Sequence, residues 1–159
     1  MNITVICIGK LKEKYWADAI KEYMKRLSAY CKVQIIELKE FKVPERASAA
    51  EEQIGREREG EDILKSIKDN QFVITLEVWG KSLSSEEFAH KLQTLSLSGN
   101  SNIAIVIGGS TGIGENVRRR SDFQLSFSNM TFPHQMIRVI LLEQIYRAFK
   151  ISKGEPYHK

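Results

Sequence analysis

Short apolar runs separated by amphipathic segments constrain the fold of this chain more than any other feature of its sequence. The runs occupy residues 2–9, 33–38, 72–78 and 102–107, and each has the length of a strand rather than of a helix. Continuous apolar runs of this length are typical of strands that are buried on both faces. The pattern therefore predicts an α/β fold with a mostly parallel sheet that helices cover on both faces.

The intervals between these runs have helical spacing or a high density of charge. Helices are predicted at residues 13–30, at residues 47–67, from Ser84 or Ser85 onward, and at residues 117–121, and a fifth strand is predicted at residues 123–127. The segment 47–67 has few apolar residues, so it is predicted to be a solvated helix, interrupted near Gly55 or Gly60. Strands that alternate with helices in this way support the parallel sheet.

The segment after residue 125 carries the strongest helical pattern in the chain. A polar turn at residues 126–131 leads into the helix, where Thr131 is a suitable cap and Pro133 is tolerated in the first turn. One apolar set is Ile137, Ile140, Leu141, Ile145 and Ala148, and a second set is Val139, Leu142, Tyr146 and Phe149. Because one core needs only a stripe of about 100°, the second set predicts a second buried side, contributed by another copy in a homodimer.

Size, charge and hydropathy narrow the class of protein. A chain of 159 residues is predicted to form one domain, residues 1–159. Its 24 basic and 20 acidic residues give a net charge of +4, a mild preference for polyanions. No signal peptide and no apolar run of about 18 residues is visible, so we expect a cytoplasmic protein with no membrane contact. Cys7 and Cys31 lack the spacing of metal ligands, and no metal is expected.

A glycine-rich segment, GGSTGIG at residues 108–114, follows the fourth predicted strand. A dinucleotide-binding loop would follow the first strand of a nucleotide-binding half, with an acidic residue about 20 positions later, and Asp122 comes too early for that role. Two other interpretations stay open. The glycines could serve only a tight turn, or they could bring the backbone close to an adenosine or methionine moiety at the carboxyl edge of the sheet.

Several motifs taken together resemble one known family. They are TLE at residues 75–77 with Gly80-Lys81, VIGG at residues 106–109, LSFSNMTFPHQMIRVILLEQIYRA at residues 125–148, and PYHK at residues 156–159. The chain is similar along essentially its whole length to the ribosomal large-subunit pseudouridine methyltransferases of the SPOUT class. This resemblance implies a methyltransferase that uses S-adenosyl-L-methionine, acts as a homodimer, and has a C-terminal trefoil knot.

The resemblance also implies which residues hold the cofactor. At matching positions they are Leu76, Gly108, Phe127, Ser128, Asn129, Met130, Thr131 and Phe132. Backbone groups of the two turns are suited to the adenine and methionine ends, and Leu76, Met130 and Phe132 are suited to be apolar walls. Without the resemblance, Met130 and Phe132 would equally suit a core.

The implied reaction methylates N3 of a pseudouridine in a hairpin loop of 23S rRNA, helix 69, within the assembled ribosome. N3 lies between two carbonyl groups, so its proton is acidic, and a base near neutral pH would assist its removal. Tyr157 and His158 are the candidate catalytic residues. The alternative for this tail is a disordered end or a segment that packs on the dimer.

RNA contacts are expected from basic residues in two parts of the chain. The candidates are Arg118, Arg119, Arg120, Arg138, Arg147 and Lys159. Phosphate contact competes with a plain solvated surface for the run 118–120, and an intrahelical pair with Glu143 competes for Arg147. No DNA partner is expected. The alternative function is a non-catalytic protein of the same fold that binds RNA or the ribosome.

Overall fold

A computed structural model describes residues 1–157, which form a parallel sheet covered by helices. The strands are β1 (Asn2–Ile8), β2 (Lys32–Leu38), β3 (Phe72–Ser82), β4 (Asn102–Ile107) and β5 (Phe123–Ser126). The helices are α1 (Lys14–Leu27), α2 (Ala49–Ser66), α3 (Ser85–Leu97), α4 (Glu115–Arg120) and α5 (His134–Ser152). The strand order is β2-β1-β4-β3-β5, and each neighbouring pair is parallel. The predicted α/β fold with a parallel sheet is confirmed, whereas the trefoil knot stays a prediction.

The two faces of the sheet carry separate apolar clusters because side chains alternate along each strand. Ile3, Val5 and Cys7 of β1 face the larger cluster, which includes buried residues of α1, α3 and α5. Ile6 and Ile8 face the smaller cluster, which includes Ile63 of α2 and Val117 of α4. Helices therefore cover both faces of the sheet. No helix in residues 1–157 is both long and apolar enough to cross a lipid bilayer.

Helix α5 packs against both α1 and α3, which accounts for its two apolar sides. Leu142, from the second apolar set, is fully buried, and Tyr146 makes edge contacts with the rings of Tyr23 and Tyr30. The second apolar side therefore packs at least in part against α1 of the same chain, and the homodimer stays a prediction. The prediction that Thr131 caps the helix is wrong, since Pro133 occupies the cap position without a side-chain hydrogen bond.

Helix α2 is continuous, and its glycines are contact points rather than breaks. Its start is fixed by a capping box between Ser48 and Glu51. A Cβ atom at Gly55 would lie 3.0 Å from Val43 Cγ1, and one at Gly60 would lie 2.2 Å from Asn116 Oδ1. The predicted interruption is wrong because the missing side chains allow the helix to approach its neighbours closely. The prediction of a solvated helix holds for only one of its sides.

Strand β3 extends beyond its predicted end through an irregularity in its pairing with β5. Leu76 and Lys81 both align with Leu125, so residues 77–80 are extra on the β3 side. A Cβ atom at Gly80 would lie 2.7 Å from the Leu125 carbonyl carbon. Glycine at this position therefore allows β3 to return to β5 after the irregularity.

Arg138 is a buried structural residue, although the sequence predicted that it contacts RNA. Its side chain is 2% exposed and forms an ion pair with Glu37 Oε1 at 2.8 Å. Its Nη2 donates to the carbonyl oxygens of Ile8 and Gly9, both at 2.8 Å. The prediction of an RNA contact is wrong, because burial and these partners leave the guanidinium group inaccessible to a phosphate.

Replacing Arg138 with methionine should lower the free energy of unfolding by about 3 kcal/mol, because it breaks a buried ion pair and leaves two carbonyl oxygens without donors. Urea denaturation measures this loss. Arg58→Met is the matched control, since Arg58 is exposed on α2 and its replacement should change stability by less than about 0.5 kcal/mol. Equal losses in the two variants would contradict the structural role of Arg138.

Glu59 places a buried carboxyl group between α2 and the segment that follows β4. The residue is 6% exposed, Oε1 accepts a hydrogen bond from the Phe41 amide at 2.9 Å, and Oε2 lacks a partner among residues 1–157. Burial raises the pKa of Glu59 above its ordinary value, and the hydrogen bond from Phe41 opposes part of that rise. The folded protein therefore holds this proton to higher pH than the unfolded chain does.

We expect Glu59→Gln to gain stability relative to the wild type as the pH rises above the ordinary carboxyl pKa. There the unfolded wild-type chain loses this proton while the folded protein still holds it, so wild-type stability falls until the pH passes the raised pKa of the folded protein. Glutamine does not titrate, and the variant escapes this loss. Urea denaturation across the pH range measures the difference, with the exposed Glu61→Gln as control. A difference that shrinks with rising pH would contradict the assigned cause.

Candidate functional site

A cavity of about 350 Å³ lies at the carboxyl edge of the sheet. Its walls come from the ends of β3, β4 and β5, from the glycine-rich segment, and from the start of α5. Ligand sites in open α/β sheets occupy this edge, where strands end and loops diverge. The volume falls in the ordinary range for a small-molecule site. The two turns that the sequence singled out therefore meet across one cavity.

The glycine-rich segment forms a tight turn that is also a cavity wall. Gly109 and Gly112 form an isolated antiparallel bridge, and the Gly112 amide donates to the Gly109 carbonyl oxygen at 3.0 Å. Gly112 has a φ of +92°, a conformation that favours glycine. A Cβ atom at Gly108 would lie 2.7 Å from Ile113 Cγ1 and 2.8 Å from the Gly112 carbonyl carbon. The segment is thus a tight turn that also borders the cavity, and its contact with a ligand stays a prediction. Glycine at position 108 allows it to fold back on itself.

The polar turn between β5 and α5 forms the facing wall. The Ser126 hydroxyl lies 3.0 Å from the Val78 carbonyl oxygen and 3.1 Å from the Ser128 carbonyl oxygen, and it has one proton to share between them. The Met130 amide donates to Ser128 Oγ at 3.0 Å. The Ser126 hydroxyl thus joins the turn to the irregular part of β3.

Most of the residues that the resemblance assigned to the cofactor border this cavity. Those in its wall are Leu76, Gly108, Phe127, Ser128, Met130, Thr131 and Phe132. Asn129 does not line the cavity and is exposed. Met130 is 76% exposed, so it is not a core residue, whereas Phe132 is half-buried. Contact of these residues with a cofactor stays a prediction.

The wall of the cavity contains an ion pair between Glu77 and Arg118 that the sequence did not predict. Arg118 Nε donates to Glu77 Oε1 at 2.8 Å, and Nη2 donates to Oε2 at 3.2 Å. The Glu77 side chain is 8% exposed and that of Arg118 is 38% exposed. The position of Glu77 directly after a buried strand was a usable signal, because strand ends meet at the ligand-binding edge. Its pairing with a residue 41 positions later was not readable from the sequence.

The three arginines of α4 have different environments. Arg118 lines the cavity, as described above. Arg119 is 78% exposed and lies 3.5 Å from Glu115. Arg120 pairs with Asp122 at 3.1 Å and donates to the Gln71 carbonyl oxygen at 2.8 Å. The structure therefore separates a run that looked uniform in the sequence, and Arg119 is its most accessible member.

Tyr157 lies against α5 and does not line the cavity of its own chain. The Tyr157 hydroxyl donates to Glu143 Oε1 at 3.2 Å, and the Arg147 guanidinium carbon lies 4.7 Å from the centre of the Tyr157 ring. Arg147 also pairs with Glu143 at 2.7 Å, as the alternative interpretation predicted. His158 and Lys159 lie outside the described residues.

Burial raises the pKa of Tyr157 to about 12, and the neighbouring Tyr23 and Glu143 contribute to the rise. The phenol therefore remains protonated at neutral pH and is a hydrogen-bond donor rather than a base. This result limits the role that the sequence analysis gave to Tyr157 in removing a proton.

Comparison with known proteins agrees with this arrangement. The model of a family described as predicted SPOUT methyltransferase matches residues 1–158. Proteins named ribosomal RNA large subunit methyltransferase H are similar over the full length of both chains, with 60% identity in Alkaliphilus oremlandii and 58% in Clostridium beijerinckii and Clostridium acetobutylicum. The chain belongs to the SPOUT methyltransferases, in the family of ribosomal RNA large subunit methyltransferase H.

Proposed function

We propose that this methyltransferase moves a methyl group from S-adenosyl-L-methionine to N3 of a pseudouridine in the helix 69 hairpin loop of 23S rRNA, in the assembled cytoplasmic ribosome. The cavity at the carboxyl edge is the observation that carries the proposal. The names of the similar proteins supply the substrate class, the RNA of the large ribosomal subunit. The particular nucleotide comes from the motif resemblance described above.

The walls of the cavity have the chemistry that S-adenosyl-L-methionine requires. Leu76, Ile107 and Phe132 offer apolar surface to a purine ring, and the turns at residues 108–112 and 127–131 offer backbone donors and acceptors. The ion pair of Glu77 and Arg118 lies in the same wall and suits a ligand that carries charges of both signs. When bound, this cofactor supplies an electrophilic methyl group on a sulfonium.

The residues of the protein must position the pyrimidine and assist the removal of the proton on N3. As N3 gains the methyl group it loses its hydrogen, so a group beside the nucleobase must accept or direct that proton. Tyr157 remains protonated near neutral pH and donates that proton to Glu143, so its hydroxyl oxygen is suited to orient the nucleobase by accepting a hydrogen bond. Histidine is the side chain best suited to accept a proton near neutral pH, so His158 remains our candidate for the base.

The separation of the tail from the cavity supports a homodimeric enzyme. No residue of the described chain after Ile137 lines the cavity. Glu143, which bonds Tyr157, lies six residues beyond Ile137, about 9 Å along the helix axis and about 120° around it. From this position Tyr157 is suited to serve the cavity of another copy rather than its own. Tyr157, His158 and Arg147 are therefore proposed to act on the nucleobase at the cavity of a partner subunit.

RNA contact is proposed for the exposed basic residues around this site. Arg119 projects from α4, beside the cavity-lining Arg118, and Arg120 is partly committed to Asp122 and Gln71. Lys159 follows the proposed base in the sequence. Such contacts fix the position of the RNA backbone without reading its sequence. Selection of one nucleotide is thus assigned to the shape of the ribosomal subunit and to the paired copies.

Calorimetric titration with S-adenosyl-L-methionine tests the cofactor site, with Gly108→Ala as the informative variant. The added Cβ atom forces the segment 108–113 to shift, so the dissociation constant should rise roughly tenfold or more. Gly99→Ala is the matched control, because Gly99 has a φ of +87° and open surroundings before the amino end of β4. That change strains the backbone without reaching the cavity.

A wild-type protein that releases no heat with S-adenosyl-L-methionine would favour the alternative, a non-catalytic protein that binds RNA or the ribosome. The target is tested separately by mass mapping of 23S rRNA from cells that lack the protein. The methyl group on the helix 69 pseudouridine should be missing there and should return when purified protein acts on the isolated ribosomes.

A double variant, Tyr157→Phe with His158→Ala, should methylate ribosomes at least about 100-fold more slowly, because general acid–base assistance is worth that much or more. Its affinity for S-adenosyl-L-methionine should change little, since Tyr157 does not line the cavity of its own chain. Single-turnover methylation of ribosomes measures the rate. Lys65→Gln, an exposed change on α2, is the control, and a double variant with the wild-type rate would remove the tail from catalysis.

A further inference from the structure

The cavity wall contains one permanent cation among residues 1–157, and it is already held in a fixed position. Three residues of the wall can carry charge: Glu77, Arg118 and His134. The Arg118 side chain is partly exposed, whereas the Glu77 side chain is buried against it. This arrangement differs from the surface pairs of α1 and α2, in which both partners are largely solvated.

The geometry of the pair leaves part of the guanidinium group for another anion. Glu77 accepts from Nε and Nη2, the side-on edge of the planar fork. A guanidinium group has five N–H donors, so the remaining donors lie on Nη1 and on the outer side of Nη2. No protein acceptor is bonded to them in the described part of the chain. Arg118 can therefore bind a second planar anion while it keeps its pair with Glu77.

We propose that Arg118 binds the carboxylate of the methionine end of S-adenosyl-L-methionine and that Glu77 is a positioning residue that holds the guanidinium group in place. The inference rests on the proposed function and names a contact within its cofactor site. A planar carboxylate matches the free edge of the guanidinium fork, and a side chain held in advance loses less freedom on binding. Arg119, rather than Arg118, has the exposure expected of a phosphate contact.

Two ligands that share the adenosine but differ at the amino-acid end test this contact. S-adenosylhomocysteine keeps the carboxylate, whereas 5′-methylthioadenosine lacks the whole amino-acid group. For Arg118→Gln, the dissociation constant of S-adenosylhomocysteine should rise roughly 10- to 100-fold, as expected for a lost charged hydrogen bond. The dissociation constant of 5′-methylthioadenosine should be unchanged. Arg58→Gln, an exposed arginine on α2, is the matched control and should bind both ligands as the wild type does.

The variant Glu77→Gln tests the positioning role, because it keeps the shape of the side chain and removes its charge. It should weaken S-adenosylhomocysteine less than Arg118→Gln does and should also spare 5′-methylthioadenosine. Arg118→Lys keeps the charge without the planar fork, and an intermediate loss confined to S-adenosylhomocysteine is expected. If Arg118→Gln does not fold, Glu77→Gln and Arg118→Lys test the proposal in its place.

Equal weakening of both ligands would show that Arg118 only shapes the wall, and the inference would be overturned. Unchanged binding of both ligands together with slower methylation of ribosomes would assign Arg118 to the RNA, which also overturns it. Failure of the wild type to bind either ligand would instead overturn the proposed cofactor itself. Failure of the inference alone is therefore distinguishable from failure of the proposed function.

Discussion

The buried guanidinium group of Arg138 fixes the start of the last helix, and the geometry of the cavity depends on that position. Arg138 joins α5 to Glu37 of β2 and to the carbonyl oxygens that end β1. One turn earlier, Gln135 Oε1 accepts a hydrogen bond from the Lys12 amide at 2.9 Å. The segment between β5 and α5 therefore has both ends fixed, one in the sheet and one through these bonds. A buried charge that is paired with a carboxylate and bonded to two carbonyl oxygens is costly to disturb, which makes this joint rigid.

Close packing at glycine residues shapes the part of the cavity wall that β3 and the glycine-rich segment form. Gly80 lets β3 return to β5 after the irregular residues, and Gly108 lets the glycine-rich segment fold back on Ile113. Gly60 performs a similar role between α2 and Asn116 of α4, the helix that carries Arg118. A Cβ atom at any of these positions would overlap neighbouring atoms, so the shape of the cavity depends on glycine at all three. The apolar cluster below the sheet edge then keeps the wall in place.

Two arginine–glutamate pairs divide the proposed chemistry between separate parts of one chain. Arg118 and Glu77 lie in the cavity wall, whereas Arg147 and Glu143 lie farther along α5 with Tyr157 against them. Both pairs are more buried than the solvated pairs of α1, so both hold their side chains in defined positions. The first pair suits the small-molecule donor, and the second suits a nucleobase brought to another copy. Under the proposed function, a single subunit would contain the parts of a site without assembling all of them.

The sequence by itself determined the fold class, most element boundaries and the two turns that border the cavity, because these follow from local periodicity and from motifs contiguous in the chain. Gly55 and Gly60 were misjudged because a glycine in a helical segment looks the same whether it breaks the helix or contacts a neighbour. Arg138 was misassigned, and the ion pair of Arg118 was not predicted, for a related reason. A basic residue has no local mark that separates a buried ion pair from a phosphate contact, and their partners Glu37 and Glu77 lie 101 and 41 positions away. Only the tertiary structure decides such pairings, because burial and charge compensation depend on residues that meet in space.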